Sequence, residues 1–316
     1  MGGEFATIAA AASPLELEIT VAILETPRAG FEAIMTIDTT IDVEHFGKIS
    51  VHHRSCPSCG RDNDDVAPSR YSHAPWSIRE CADCGFVYID QAPRYEVQVD
   101  TMAWERTTKV EEARRAEIRP ISYKMSKFTR FRMHVLPKRT MLGFIEAAAP
   151  HGNVIDLGCG DGHAMAGFPE RFTPFGIEIS AELARAADRA FRARGGAAVN
   201  APCVEGLRGF PKNFFVAASL RSYLEHEAEP LAVLEGLRDV LKPEGLAVVK
   251  VPNYGSINRR VMGRRWCGFR YPDHLNYFTP KTLAAMAQKA GFGTSFGMTG
   301  RLPTSDNMWA VLKKRG

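Results

Sequence analysis

From Gly152 onward, strand-like and helix-like segments alternate along the chain. Short apolar runs, typical of buried strands, are followed by amphipathic segments of helical length. This alternation predicts βαβ units and an α/β fold with a doubly wound, mostly parallel sheet. The predicted strands are 154–157, 175–179, 214–220 and 246–251, and the predicted helices are 181–194, 230–241 and one that begins near 280. Ligands in this architecture bind at the carboxyl ends of the strands.

The composition is that of an ordinary folded protein. The chain has 316 residues, 45% hydrophobic and 24% charged, which is long enough for two domains. Forty basic and thirty-six acidic residues leave a net charge of +4, too weak to indicate nucleic-acid binding by itself. No apolar run reaches the ~18 residues of a membrane helix, and the first residues lack the basic start of a signal peptide. We therefore expect a cytoplasmic protein without a membrane segment.

Changes in composition divide the chain into four predicted parts. They are an N-terminal segment of uncertain role at 1–49, a small cysteine-bearing module at 50–100, connecting helices at 101–149 and the α/β domain at 150–316. Between residues 101 and 140 there are eleven lysines and arginines but only four glutamates. Such an excess is typical of a solvated helix face, and it also suits the rim of a site for an anionic ligand.

Four of the seven cysteines stand in two C-x-x-C pairs. Cys56 and Cys59 form the first pair, Cys81 and Cys84 form the second, and twenty-one residues separate the pairs. This spacing is close to that of zinc ribbons, in which four thiolates hold one tetrahedral ion and leave no open position for catalysis. We predict a structural Zn²⁺ whose loss unfolds the module. A redox-active pair is the other interpretation of one C-x-x-C, but it does not explain why there are two.

A glycine-rich turn follows the first predicted strand of the α/β domain. Asp156 lies near the end of that strand, and Gly158, Gly160 and Gly162 follow at alternate positions. Glycines allow positive φ and let a ligand approach the backbone at the N-terminal end of a helix. Glu178 lies at the end of the next strand, where a carboxylate can accept hydrogen bonds from both hydroxyls of a ribose. We expect these five residues to form a cofactor site.

The stretch VIDLGCGDG that carries these glycines, with Glu178 after it, resembles the cofactor site of class I S-adenosylmethionine-dependent methyltransferases. Its G-x-G-x-G spacing differs from the G-x-G-x-x-G of dinucleotide sites, the alternative interpretation. The resemblance implies that Gly158 and Gly160 line the methionine end of S-adenosylmethionine, that Asp156 lies near its amino group and that Glu178 holds its ribose. The sequence departs from the family at 201–205 and 214–216, which leaves the adenine pocket undefined.

The cysteine module adds a second resemblance. C-P-x-C-G, followed by R-E-C-x-x-C-G-F before such a domain, is similar to methyltransferases of deoxysugar and surface-polysaccharide pathways, with sugar C-methyltransferases the nearest characterised group. The resemblance implies methyl transfer to carbon or oxygen of a small molecule. The acceptor that it implies is anionic, such as a nucleotide-linked sugar or another biosynthetic intermediate.

A Tyr-x-Glu-His stretch follows the predicted strand 214–220, at the mouth of the expected cofactor cleft. In the sugar C-methyltransferases this stretch carries catalytic roles, which implies His226 as the base, Glu225 as the residue that orients it and Tyr223 as a substrate contact. His274 is the rival base, because it lies in the long insert between the predicted strand 246–251 and the helix that begins near 280, a place where loops cover the acceptor in many relatives. A histidine that only packs or caps a helix is the alternative interpretation of either.

The same insert is strongly basic, with no acidic residue from Ser256 to Arg270. Its arginines are Arg259, Arg260, Arg264, Arg265 and Arg270. Arginines next to aromatic residues suit phosphates or a carboxylated sugar, and a solvated basic loop is the other interpretation.

Two further functions remain open from the sequence. The zinc module and basic helices suit an RNA methyltransferase, but the stretch 220–223 lacks the Asn/Asp-Pro-Pro-aromatic motif of base-amino methylation, so a nucleic-acid partner is disfavoured. A non-catalytic, zinc-bearing interaction protein is the third possibility, against which the intact cofactor residues argue. The sequence leaves the oligomeric state open.

Overall fold

The computed structural model describes residues 38–43, 47–93, 141–296 and 305–315. Most of the N-terminal segment and the basic stretch 101–140 of the predicted connecting helices lie outside these ranges, whereas the end of the connecting region forms the helix Met141–Ala148. Within the described ranges, no helix has the length and apolar character needed to cross a membrane.

The described elements follow the predicted alternation. The strands are β1 (Asp38–Val43), β2 (Gly47–His53), β3 (Ile78–Glu80), β4 (Val87–Ile89), β5 (Gln91–Pro93), β6 (Gly152–Leu157), β7 (Phe172–Glu178), β8 (Ala197–Asn200), β9 (Phe215–Arg221), β10 (Leu241–Pro252), β11 (Asn276–Tyr277), β12 (Phe292–Phe296) and β13 (Asn307–Lys314). The helices are Met141–Ala148, His163–Ala166, Ala181–Arg192, Cys203–Arg208, Pro230–Val240, Ile257–Met262 and Pro280–Lys289.

A seven-stranded sheet in the order β12-β13-β10-β9-β6-β7-β8 forms the centre of the described structure. Strands β6 to β10 are parallel, and β13 runs antiparallel to both β10 and β12. The predicted α/β fold with a mostly parallel sheet is therefore confirmed. The strand order reverses between β6 and β9, and the crevice at the carboxyl ends beside such a reversal is where open α/β sheets bind ligands.

Strand β10 begins earlier than the sequence predicts. The sequence predicts a strand at 246–251, whereas the observed strand starts at Leu241. Its pairing with β9 shifts register between Leu241 and Leu246. Pro243 has no N–H to donate, and Glu244 has a φ of 63°. These two residues interrupt the regular pairing, so the apolar pattern alone located only the regular part of the strand.

The cysteine-bearing module is joined to the α/β domain by a shared sheet. The short strand β11 lies in the insert of the α/β domain and pairs with β4 of the module, in the order β11-β4-β3. Phe86 of the module packs edge to face on Phe278 beside β11, with ring centroids 5.1 Å apart. Lys289 donates to the carbonyl of Ser58 at 2.7 Å. The module therefore packs directly on the face of the domain that carries the insert.

Candidate active site and metal centre

The four cysteines of the two C-x-x-C pairs converge on one point. The Sγ atoms of Cys56, Cys59, Cys81 and Cys84, which we refer to as the cysteine cluster, all lie within 4.8 Å of one another. The separations from Cys56 to Cys84 and from Cys59 to Cys81 are both 3.5 Å. Four sulfurs bound tetrahedrally to zinc at ~2.3 Å are ~3.8 Å apart, so the cluster fits this ion.

Both cysteine pairs are held in the same kind of backbone turn. The amide of Gly60 donates to the carbonyl of Cys56 at 2.8 Å, and the amide of Gly85 donates to that of Cys81 at 2.9 Å. The φ angles of these glycines are 77° and 68°, a region that residues with side chains rarely adopt. Each C-x-x-C-G sequence thus forms a knuckle that directs two thiols to the common centre.

The predicted glycine turn lies at the carboxyl end of β6. Gly158, Gly160 and Gly162 have φ angles of 69°, 57° and 82°. A Cβ atom on Gly158 would lie 2.7 Å from Cδ2 of Tyr223, so the backbone of the turn is in direct contact with that ring. Only glycine allows the turn and the loop after β9 to approach this closely.

Glu178 ends β7 with its carboxylate held against the glycine turn. Its Oε2 accepts a hydrogen bond from the amide of Gly160, and its Oε1 accepts one from the amide of Ser180, both at 2.9 Å. Asn200 at the end of β8 donates to the backbone carbonyl of Glu178 at 3.0 Å. These hydrogen bonds fix the carboxylate at the end of β7, against the glycine turn.

Asp156 is buried in β6, the strand next to β7. Burial raises its pKa to about 7, an effect that the Ser219 hydrogen bond and the charge of Arg221 oppose and the charge of Glu178 reinforces. A carboxyl with this pKa populates both protonation states near neutral pH, and a cation placed beside it favours the charged state.

Tyr223 lies in the loop after β9, over the glycine turn. Its hydroxyl donates to the carboxylate of Glu227. Burial, followed by the charges of Cys203 and Glu227, raises the pKa of this hydroxyl well above its usual value. Tyr223 is therefore a protonated hydrogen-bond donor at the boundary between the turn and the loop.

Glu225 and His226 of this loop meet His274 of the insert, and we refer to these three residues as the histidine cluster. One potential ligand atom of each lies within 4.8 Å of the others, and the imidazole centroids are 4.8 Å apart. Nδ1 of His226 contacts the carbonyl of Asp273, and Nδ1 of His274 contacts that of Gly268, both at 2.8 Å. Because a carbonyl only accepts, Nδ1 carries the hydrogen, and Nε2 carries the lone pair of each neutral ring.

Burial governs the protonation of Glu225 and His226. It raises the pKa of Glu225 to about 8, although the charges of Lys250 and Arg270 partly oppose it. Burial and the charge of Arg270 lower the pKa of His226 to about 4, against the hydrogen bond to Asp273. His226 is therefore neutral at pH 7. The group that fixes its ring is the Asp273 carbonyl, which the sequence did not indicate.

Comparison with known families decides the identity of this α/β domain. A family model described as a methyltransferase domain matches residues 128–294, just over half of the chain. The chain belongs to the methyltransferase domain family. It is therefore an enzyme, and its family supports S-adenosylmethionine as the cofactor.

Solved structures similar to this methyltransferase come from several organisms. An S-adenosylmethionine-dependent methyltransferase from Archaeoglobus fulgidus is 16% identical, with 54% of this chain and 90% of that chain covered and a TM-score of 0.43. A possible histamine N-methyltransferase from Thermotoga maritima is 19% identical, with 55% and 87% covered and a TM-score of 0.42. Comparison with curated proteins gives no match. The family assignment rests on the family model.

Two buried polar residues hold the loop after β9 in the methyltransferase. Nδ2 of Asn276 donates to the carbonyls of Leu224 at 2.9 Å and Glu227 at 2.6 Å. Nη2 of Arg54 donates to Oδ1 of Asn276 at 3.1 Å and to the carbonyl of Ala228 at 2.7 Å. Sequence reasoning missed both residues. The polar Asn276 inside an apolar run was a usable signal, whereas Arg54 gave none.

The arginines of the methyltransferase's insert have two kinds of surroundings. Arg259 stacks on the ring of Tyr254 with Cζ 4.1 Å from the centroid, and Arg270 donates to a carboxylate oxygen of Asp273 at 3.0 Å. These two arginines brace the insert from within. The exposed ones are Arg260, Arg264 and Arg265. Only part of the predicted basic rim therefore faces solvent.

Proposed function

We propose that this methyltransferase transfers a methyl group from S-adenosylmethionine to carbon or oxygen of a small, anionic biosynthetic intermediate such as a nucleotide-linked sugar. The observation that carries the proposal is the contact between Tyr223 and Gly158. It joins the cofactor turn to the loop that bears Glu225 and His226 of the histidine cluster. Groups suited to a cofactor and groups suited to proton removal thus lie on adjoining segments.

The residues of the turn fit the cofactor that the family implies. S-adenosylmethionine supplies an electrophilic methyl group on a sulfonium. In this proposal Glu178 accepts hydrogen bonds from the ribose hydroxyls, and Asp156 pairs with the amino group. The backbone of Gly158, Gly160 and Gly162 lies against the methionine end, where side chains would intrude.

Proton removal from the acceptor is assigned to the histidine cluster. His226 is the first candidate base, because it is neutral at pH 7 and its ring is oriented through Nδ1, which leaves Nε2 as the basic nitrogen. His274 is the second candidate, with the same orientation. In this proposal Tyr223, whose hydroxyl donates to Glu227, contacts the substrate at the edge of the turn.

A structural zinc ion in the cysteine cluster is part of the proposal. Its support is the approach of four thiols from two matching knuckles, with Cys56 and Cys81 buried against the α/β core. The ion would stabilise the module by roughly 10 kcal/mol. Since β4 pairs with β11, a stable module also fixes the insert that carries His274.

The exposed arginines of the insert favour an anionic acceptor over RNA. Single-stranded RNA is bound by aromatic side chains on which bases stack. Trp266 and Phe269, the aromatic residues nearest these arginines in the sequence, are buried at 2% and 3% exposure. Phosphate or carboxylate groups need only the guanidinium groups.

Transfer of radiolabelled methyl from S-adenosylmethionine into a cell extract tests the proposal. The extract is separated into small molecules, RNA and protein, with Glu178→Ala as the control that lacks the ribose contact. We expect label in the small-molecule fraction and none with the control. Label confined to RNA would contradict the proposal. With the labelled acceptor isolated, loss of turnover in His226→Ala but not in His274→Ala would identify His226 as the base.

A further inference from the structure

We propose that the histidine cluster is a second metal site of this enzyme, separate from the cysteine cluster, and that it binds a divalent transition-metal ion. Two imidazoles and one carboxylate form a donor set that such ions bind. The binding itself is independent of the acceptor. The further role of the ion, to hold an oxygen of the acceptor, rests on the proposed function.

Both histidines have the orientation of metal ligands. A histidine that binds a metal through one ring nitrogen almost always donates its other N–H to a carbonyl or carboxylate, which fixes the ring and the tautomer. His226 donates from Nδ1 to Asp273, and His274 donates from Nδ1 to Gly268, each at 2.8 Å. The rings meet edge to face with an interplanar angle of 85°. The lone pair of each neutral ring is on Nε2.

Glu225 supplies the strongest indication of a missing cation. The residue is 1% exposed, and its Oε2 is buried without a hydrogen-bond partner among the described residues. A buried polar oxygen without a partner costs free energy, and a bound cation would offset that cost. Its backbone is fixed, because its carbonyl accepts bonds from the amides of Leu275 at 2.7 Å and Asn276 at 3.0 Å. The carboxylate is thus held in place beside His274 rather than free to move to solvent.

The positive charge around the cluster opposes a bound cation, but part of it is neutralised locally. Lys250 and Arg270 bring positive charge near Glu225. Arg270 donates to a carboxylate oxygen of Asp273 at 3.0 Å, so part of this charge is balanced locally. Two neutral imidazoles and one carboxylate leave a divalent ion with a net charge of +1, which attracts an anionic acceptor.

A metal ion gives both histidines a function. As bases they are rivals, but as ligands they act together, and a bound ion would replace the role of His226 as base because one Nε2 cannot bind the ion and accept a proton. Three protein ligands leave a coordination position for an oxygen of the acceptor, and coordination lowers the pKa of a hydroxyl, whose proton then passes to water. The acceptor class is accordingly one with a hydroxyl or carbonyl oxygen at or next to the methylated atom.

Titration of the full-length, zinc-loaded protein with Co²⁺, without S-adenosylmethionine or acceptor, tests the site. Co²⁺ bound by nitrogen and oxygen shows weak visible absorption bands, whereas thiolate-bound Co²⁺ adds intense sulfur-to-metal charge transfer. We expect one equivalent of Co²⁺ to bind with the first type of spectrum. The variants Glu225→Gln, His226→Gln and His274→Gln should each weaken binding by about tenfold or more.

Two controls make the result specific. Zinc content reports whether each variant keeps the cysteine cluster. A variant that has lost its zinc counts as misfolded, and only the variants that keep zinc test the second metal site. His53→Gln alters the group of His53, Asp62 and Asp64, in which a half-buried histidine lies near two exposed aspartates and which also has metal-ligand types within 4.8 Å. This variant should bind Co²⁺ as the wild type does. No Co²⁺ binding by the wild type, or wild-type binding by folded variants of the cluster, would overturn the proposal. That outcome would leave His226 as the candidate base of the proposed methyl transfer.

Discussion

Arg54 and Ala228 lie 174 residues apart in the chain, and Nη2 of the first donates a hydrogen bond of 2.7 Å to the carbonyl oxygen of the second. Arg54 follows β2 of the cysteine-bearing module, whereas Ala228 belongs to the loop after β9. Arg54 also donates to the carbonyl of Ile89 at 3.2 Å. One buried guanidinium thus ties the module to the loop that carries the histidine cluster.

Replacement of Arg54 by methionine should separate acceptor chemistry from cofactor binding. It leaves the buried carbonyls of Ile89 and Ala228 without donors, which should lower the free energy of unfolding by about 3 kcal/mol. The loop should shift, and turnover should fall by about tenfold or more. Affinity for S-adenosylmethionine, measured by calorimetry, should stay within about threefold, because Arg54 binds the loop at Ala228, whereas the glycine turn contacts the loop at Tyr223.

Arg61→Met is the matched control for this variant. Arg61 is in the same module, but its ion pairs with Asp65 and Asp83 are exposed and contribute little. Its turnover should equal that of the wild type. An equal loss of turnover in both variants would contradict a specific role of Arg54.

Loss of the zinc ion should abolish methyl transfer through the insert rather than through the cofactor turn. Cys59→Ser removes one ligand and should unfold the module, to which β11 and the neighbouring His274 are attached. Zinc content and turnover should both collapse, whereas Cys267→Ser, outside the cysteine cluster, should keep both. Full turnover in a zinc-free Cys59→Ser protein would contradict this coupling.

Binding of S-adenosylmethionine should release a proton from Asp156. Burial raises the pKa of this carboxyl to about 7, so it is largely protonated below that pH, and the cationic amino group of the cofactor should ionise it. Binding at pH 6 should then release about one proton and at pH 8 about none. Calorimetry in buffers of different ionisation enthalpy measures this number, and Asp156→Asn should remove the pH dependence. An unchanged dependence in that variant would assign the proton elsewhere.

The raised pKa of Asp156 also makes the free energy of unfolding depend on pH. The folded pKa of Asp156 lies above its unfolded value of about 3.9, so its contribution to stability falls as the pH rises from about 4 to 7. Asp156→Asn should remove this slope from the unfolding free energy of the cofactor-free protein.

The central sheet could be predicted because its signals are local. Buried parallel strands are continuous apolar runs, and amphipathic helices such as Ala181–Arg192 have a clear period. The glycine turn and Glu178 follow from their positions after β6 and β7, and the C-x-x-C-G knuckles follow from spacing. In each case a few adjacent residues determine the geometry.

The acceptor side could not be predicted to the same depth because its contacts connect distant segments. The pairing of β11 with β4 joins Asn276 to Tyr88 across the chain, and no local pattern encodes it. Likewise, the sequence identified His226 and His274 separately, but not that they meet beside Glu225. The sequence did not distinguish the arginines of the insert from one another, yet in the structure Arg259 is stacked on Tyr254 and braces the fold.

Binding of S-adenosylmethionine to full-length protein, measured by calorimetry, tests the central claim most directly. Glu178→Gln keeps the shape of the side chain but removes its charge, and Glu182→Gln, an exposed glutamate four residues later, is the matched control. We predict one bound cofactor per chain, about tenfold or more weaker binding for Glu178→Gln, and little change for Glu182→Gln. Wild-type affinity in Glu178→Gln, or no binding by the wild type, would contradict the account.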